Sequence, residues 1–327
     1  MRKFCLALCL TGILAGVFCG AAMAEPKLFK VTMTLPEGHP AHDMGNLFGK
    51  LLMEKTNGAL TAKSFGSDQL GNTIASIEGI QMGTIEAGFL PSGPISQFLD
   101  SWEVFSLPYI FKDEKHMFRA LEGEFGNTMI RQLNDIDMVF LSWANSGSRN
   151  VITNKRAVNT PADLNGLKIR VMDSKLMVDT LNAMGAIATP MAQAEVYSAL
   201  QQGVIDGWEN NPTTLYALKL YEVSDYYSWT QHFITPDLMV ISKPVFDSLT
   251  PDQQKAVMEA GAEAGVAYRT KIWPNYLASV IKELEKHNVK FNEVTDFEGF
   301  VKATQSVRDA YIAKHGDSYL KMIEAAK

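Results

Sequence analysis

The stretch "LNGLKIRVMDSK", Leu164 to Lys175, decides how the chain is built. Leu167, Ile169 and Val171 alternate with Lys168 and Arg170, the period of a strand with one buried face. Asn165-Gly166 turns the chain into that strand, and a helix is expected to begin around Ser174. A short buried strand that feeds a helix is the repeating unit of an α/β fold. Arg170 sits close to the end of the strand, on the face opposite the three apolar residues.

Outward from this unit, strands and helices keep trading places. On the amino-terminal side, "KLFKVTMTL" (Lys27 to Leu35), "ALTAKSF" and "EAGFL" read as strands. Between them lie a helix with its apolar face at Met44, Leu47, Phe48, Leu51 and Leu52, closed by Asn57-Gly58, and a helix through Ile74, Ile77 and Ile80 that stops at Gly83. Phe118, Leu121, Phe125, Met129 and Leu133 predict one long helix. "MVFLSWA" (Met138 to Ala144) and "RNVITN" read as two strands separated by the turn "NSGS". On the carboxyl side follow a helix through Val196, Leu200 and Val204 and the strand "DLMVISK" (Asp237 to Lys243). Thr250-Pro251-Asp252-Gln253 is a capping box with proline at the first helical position. The helix it opens should run towards His287 and kink near Pro274, and a last helix should cover roughly Phe300 to Ala326. The pattern predicts an α/β protein with mainly parallel pairing, and 327 residues suggest two lobes.

The amino terminus reads as a secretory leader. Arg2 and Lys3 precede an apolar run from Leu6 to Phe18, and Ala22-Met23-Ala24 forms the small-x-small pattern before Glu25, so cleavage after Ala24 is expected. All three cysteines, Cys5, Cys9 and Cys19, fall inside that leader. The mature chain would then carry no disulfide and no thiolate chemistry, and an ordinary hydrophobic core must hold it together. The formal net charge is −6, without a basic block, which argues against nucleic acid as a partner. No later apolar run reaches membrane-spanning length.

Enzyme signatures such as G-x-S-x-G, a P-loop, G-x-G-x-x-G and H-E-x-x-H are absent from the sequence. His39 and His42 form a close pair, but zinc wants three or four converging ligands, so neither a metal nor a cofactor is expected. Glu78 lies among Ile74, Ile77 and Ile80, either on a solvated face or against a ligand. Arg170 and Arg149 carry more information. A buried guanidinium needs an anion, either a bound one or an acid of the protein's own, and its planar fork suits a carboxylate. In open α/β sheets ligands gather beyond the carboxyl ends of strands, where Arg170 lies. "DGWENN" (Asp206 to Asn211) adds Asn210 and Asn211, whose amides can serve a carboxylate and a hydroxyl together, and Trp208 as a possible apolar wall.

The run from "SRNVITN" at Ser148 through "LKIRVM" to "DGWENN" at Asn211 resembles the central region of the DctP-type periplasmic solute-binding proteins of tripartite ATP-independent periplasmic (TRAP) transporters. "GSDQLGNTIASIEGIQMGTIEAG", "LPYIF", "YEVSDYYS" and "MVISKPVFDSL" extend the similarity over essentially the whole mature chain. The resemblance implies a two-lobed, type II-like periplasmic binding protein with a long helix bracing both lobes. It places lobe I at 25–147 plus about 235–274, and lobe II at 148–234 plus about 275–327. It implies a monomeric periplasmic receptor for a small organic anion, a sugar acid such as a uronate or else a smaller carboxylate or sulfonate, handed to a TRAP permease. Arg170 matches the arginine that clamps the ligand carboxylate, Arg149 a second basic contact, and Asn210 the amide on the same head group; His39, Glu78, Asn211 and Trp208 complete the expected ligand-binding set. Two alternatives remain open: a periplasmic lyase or isomerase of sugar acids using His39, His42 or Glu78, and a receptor feeding a sensor or an ATP-driven importer.

Overall fold

The structure, a computed structural model, describes residues 25–326; the expected leader, its cleavage site and the three cysteines lie outside them. Nine strands of the described residues join into one sheet: β1 Lys27–Thr32, β2 Leu60–Phe65, β3 Ala87–Pro91, β4 Met138–Thr153, β5 Lys168–Val171, β6 Ile187–Pro190, β7 Gly207–Asn210, β8 Tyr226–Ser242 and β9 Lys290–Glu293. Their order is β2-β1-β3-β8-β4-β7-β5-β6, with β9 alongside β8. Pairing at both ends is parallel, as the alternation of strands and helices predicts. The centre differs, because β4 pairs antiparallel with β7 and β8, and β8 antiparallel with β3.

The two long strands explain that difference. "MVFLSWA" and "RNVITN" are one strand, β4, because "NSGS" makes a bulge and not a chain reversal: the register with β8 slips between Asn145 and Ser148. Gly147 there takes φ +68°, which glycine adopts without penalty, and a side chain at this position would press on Trp273, 3.2 Å away. β8 likewise starts eleven residues earlier than "DLMVISK" suggests, at Tyr226. The bulged β4–β8 pair thus runs through both halves of the sheet and joins them.

Each half has its own core. Beside β1, β3 and the ends of β4 and β8 nearest them, Phe29, Phe48, Met239 and Tyr268 are buried on one face, and Trp102, Phe105 and Phe125 on the other. Beside β5 to β7, Ile169, Val171 and Leu181 fill one cluster and Trp208, Leu215 and Leu284 another. Each such buried side chain contributes about 1.5–3 kcal/mol. The capping box forms as expected: Thr250 accepts from the Gln253 N–H at 3.3 Å, and Gln253 accepts from the Thr250 N–H at 3.1 Å. The helix it opens, Pro251–Ala267, continues through a π-turn at Tyr268–Ile272 into the helix Trp273–Lys286. Pro274 lacks the N–H that an unbroken α-ladder needs, and the π-turn lies just ahead of it, so the helix loses its regular ladder near the expected place. Val257 and Ala264 of the first segment pack into the core by β1, whereas Val280 and Leu284 of the second pack into the core by β7. The long helix therefore touches both halves.

Three helix expectations need correction. The helix expected through Phe118 and Leu133 is two helices, Glu114–Glu122 and Glu124–Gln132, separated at Gly123. The expected terminal helix is three, Phe297–Ala303, Gln305–His315 and Ser318–Ala325, the last break falling at Gly316 with φ +76°. Val204 lies beyond the helix Val196–Gln201. In the first two cases the apolar period survives the break because the short helices keep facing one core, so period alone could not reveal it. Among the described residues no helix is long and apolar enough to cross a membrane.

Candidate functional site

Where the two halves of the sheet meet, a cavity of about 720 Å³, counted out to its mouth, is lined by Arg149, Arg170, Asn210, Asn211 and His39 together with Gln193, Asp237 and Asp173. Parts of both halves form its walls, because β3 and the helix Thr73–Gln81 supply Phe89, Pro91 and Thr73 opposite the ends of β5 and β7. Hydrogen bonds cross between the halves, among them His39 to Thr213 at 3.3 Å, Gln97 to the carbonyl of Asp173 at 2.8 Å, and the Ser174 hydroxyl to that of Ser106 at 3.0 Å.

Arg170 lies as the strand pattern predicts, at the end of β5 and pointing away from the core that takes Ile169 and Val171. It is only 3% exposed. Its Nε donates to the Met191 carbonyl at 2.8 Å and one Nη to Gln193 Oε1 at 3.1 Å. A guanidinium has five N–H groups; two are thus engaged, leaving three without a protein acceptor. Arg170 forms no ion pair among the described residues. Burial pulls it down to about 10 from the ordinary 12.5, with Glu209 pulling the other way, so it stays charged at neutral pH. A buried, charged group with open donors is a site for an anion.

Arg149 lines the same cavity but is a different case. Its Nε and one Nη hold the Glu209 carboxylate at 2.6 and 2.7 Å, the same Nη bonds the Glu209 carbonyl at 3.0 Å, and the other Nη bonds Asn210 Oδ1 at 3.2 Å. Of its five N–H groups, one is left. The pair is fully buried. Burial alone would raise Glu209, but the charge of Arg149, helped by His232, brings it below its ordinary value. The alternative of an internal acid therefore describes Arg149: its charge is already matched.

The asparagines divide in the same way. Asn210 Oδ1 accepts from Arg149 and from the Asn211 N–H at 2.8 Å, which fixes the amide and leaves both Nδ2 hydrogens for the cavity. Asn211 is occupied: Oδ1 accepts from the Thr213 hydroxyl and the Thr214 N–H, capping the helix Pro212–Ala217, and Nδ2 donates to the Ser146 carbonyl. Asn211 shapes the wall and positions Asn210 but offers no open polar atom. His39 is similarly engaged. Its Nδ1 accepts from the Ala41 N–H and caps the first helix, Pro40–Lys55, so Nε2 carries the proton and donates to Thr213. Burial, with the nearby charge of His42 assisting, holds it down to about 3, so it stays neutral.

Two expected ligand contacts fall elsewhere. Trp208 is 0% exposed and packs among Ile152, Val196, Leu215 and Tyr227, with Nε1 donating to Ser224. It is core, because the helices after β6 and β7 cover that part of the sheet. Glu78 is on the exposed face of the helix Thr73–Gln81, which meets the cavity through its first turn, at Asn72 and Thr73. The sequence reading also passed over three polar residues of the site. Glu209 stands inside the quoted "DGWENN", Gln193 follows β6, and Asp237 opens the strand reading "DLMVISK"; a carboxyl among those apolar residues was the available signal for the last.

The family model of bacterial extracellular solute-binding protein, family 7 (DctP) matches residues 31–315. The 2,3-diketo-L-gulonate-binding periplasmic protein YiaO of Escherichia coli is 31% identical, over 86% of this chain and 87% of the relative. A TRAP periplasmic solute-binding protein of Roseobacter denitrificans, solved with β-D-glucuronate bound, superposes with a TM-score of 0.89 at 33% identity, covering 92% of this chain and 100% of the other. One from Citrobacter koseri, with D-glucuronate bound, gives 0.88 at 37% identity, with the same coverage. The fold is the two-lobed α/β architecture of these receptors.

Proposed function

The chain belongs to the DctP family of bacterial extracellular solute-binding proteins, and from that premise we propose that it is a periplasmic receptor that binds a sugar acid, a uronate in the first instance, and hands it to a TRAP membrane permease. The observation that carries the reading is Arg170, a buried cation with three open donors and no acid of its own, beside the free amide of Asn210. A carboxylate placed there accepts from both residues, and each charge-assisted bond is worth roughly 1.5–3 kcal/mol. The Roseobacter and Citrobacter structures hold glucuronate, a ligand with this head group. Secretion by the leader ending at Ala24, a monomeric state, and lobes at 25–147 plus about 235–274 and 148–234 plus about 275–327 are parts of the same proposal.

The protein acts by binding and not by turnover. His39 has both ring nitrogens engaged and Glu78 faces solvent, so neither is presented to the cavity as the acid or base of a lyase or isomerase. A thermal-shift screen of organic acids tests the reading: D-glucuronate should raise the melting temperature in proportion to the logarithm of its concentration. Absence of any shift with uronates and aldonates would refute the sugar-acid assignment, and chemical change of the recovered ligand would refute the receptor assignment.

A further inference from the structure

Asp237 has no role in the carboxylate clamp, yet it lies in the same cavity. β8 carries it opposite Pro91 of β3 and Ala144 of β4, on the wall built by the first half of the sheet. It is 8% exposed and makes no ion pair among the described residues. The Ser146 side chain stands beside its carboxyl, and Arg149 is the charged side chain acting on it. That charge is already held by the two oxygens of Glu209. Arg170, in contrast, feels Glu209, Arg149, Asp173 and Asp68. The cavity therefore presents the unpaired Arg170 guanidinium from one half and the unpaired Asp237 carboxyl from the other, while the Arg149 charge is matched by Glu209.

We propose that Asp237 sets the charge class of the ligand: it accepts a hydroxyl of a guest carrying one carboxylate and turns away acids carrying a second. The inference rests on the sugar-acid reading and refines it. A hydroxyl can donate to the open Asp237 oxygen in a water-poor wall, where such a bond orients the sugar. A second carboxylate in that place meets like charge at low effective dielectric and finds no cation left to offset it. Burial pushes Asp237 up to about 7, so it is ionised above neutral pH and repels most strongly there.

The test is calorimetry of the full chain at pH 8 with D-glucuronate and with D-glucarate, a diacid of the same carbon number, on wild type and on Asp237→Asn. Wild type should prefer glucuronate by at least about 100-fold. In Asp237→Asn the preference should shrink by at least about tenfold, chiefly through tighter glucarate binding. Asp237→Ser, which removes the charge with less bulk, should move it the same way, and melting curves report whether either variant folds. An unchanged preference in both folded variants, or equal binding of the two acids by wild type, overturns the role of Asp237. Failure of wild type to bind either acid instead overturns the sugar-acid reading on which it stands.

Discussion

Arg149 and Arg170 lie in one cavity, each 3% exposed, and their surroundings are opposites. Arg149 grips Glu209 through two short bonds and keeps one open N–H; Arg170 meets only a carbonyl and an amide oxygen and keeps three. Burial alone therefore does not mark a binding residue. A guanidinium whose charge is matched inside the protein stiffens the junction of β4 and β7, whereas one whose charge is unmatched stores affinity for a guest. The first corner belongs to folding and the second to function.

Substitutions at the two corners should break the comparison in different observables. The largest effect is expected for Arg170→Ala, which removes at least two charge-assisted bonds and should weaken uronate binding about 10²–10⁴-fold in calorimetry while leaving the apo melting temperature unchanged or higher. Equal affinity of wild type and variant would remove the clamp. At the other corner, Glu209→Gln strands the Arg149 charge and should cost about 3–5 kcal/mol of stability in urea unfolding. A loss below about 1 kcal/mol there would show that the buried pair is not structural. Arg170→Lys sharpens the contrast: it keeps the charge but not the fork, and affinity should fall about 10–100-fold.

A pH titration probes the wall between the corners. His39 is held down to about 3, so below its ordinary value of 6.5 the unfolded chain takes up a proton that the folded protein refuses. Stability from this group is intact above pH 6.5 and is lost as pH falls, by about 2 kcal/mol at pH 5. In His39→Gln that acid-side loss should be smaller; an identical pH profile would contradict the buried, neutral state. The smallest effect is expected for Asn211→Ala, which removes a helix cap: about 0.5–2 kcal/mol of stability, with affinity changing less than in any Arg170 variant.

What could be read in advance follows from how local each feature is. The strand at Arg170, the helix after Ser174 and the Thr250 capping box depend on neighbours within a few residues, and all three are present. The β4 bulge reads as a turn in the sequence because Asn145, Ser146 and Gly147 serve either geometry, and only pairing with β8 decides between them. The pairing of Arg149 with Glu209 spans 60 residues and follows from the β4–β7 register, which no sequence pattern displays. The buried Trp208 and the exposed Glu78 are not legible in the sequence for the same reason: which face of an element is covered depends on what packs against it.

The most direct measurement is a crystal structure of the protein with D-glucuronate. The account predicts the ligand carboxylate on the open Nη groups of Arg170 at about 2.7–2.9 Å, with the Asn210 amide on the same head group and the Arg149–Glu209 pair undisturbed. A ligand seated elsewhere, with Arg170 still bonded to Met191 and Gln193 alone, would contradict it.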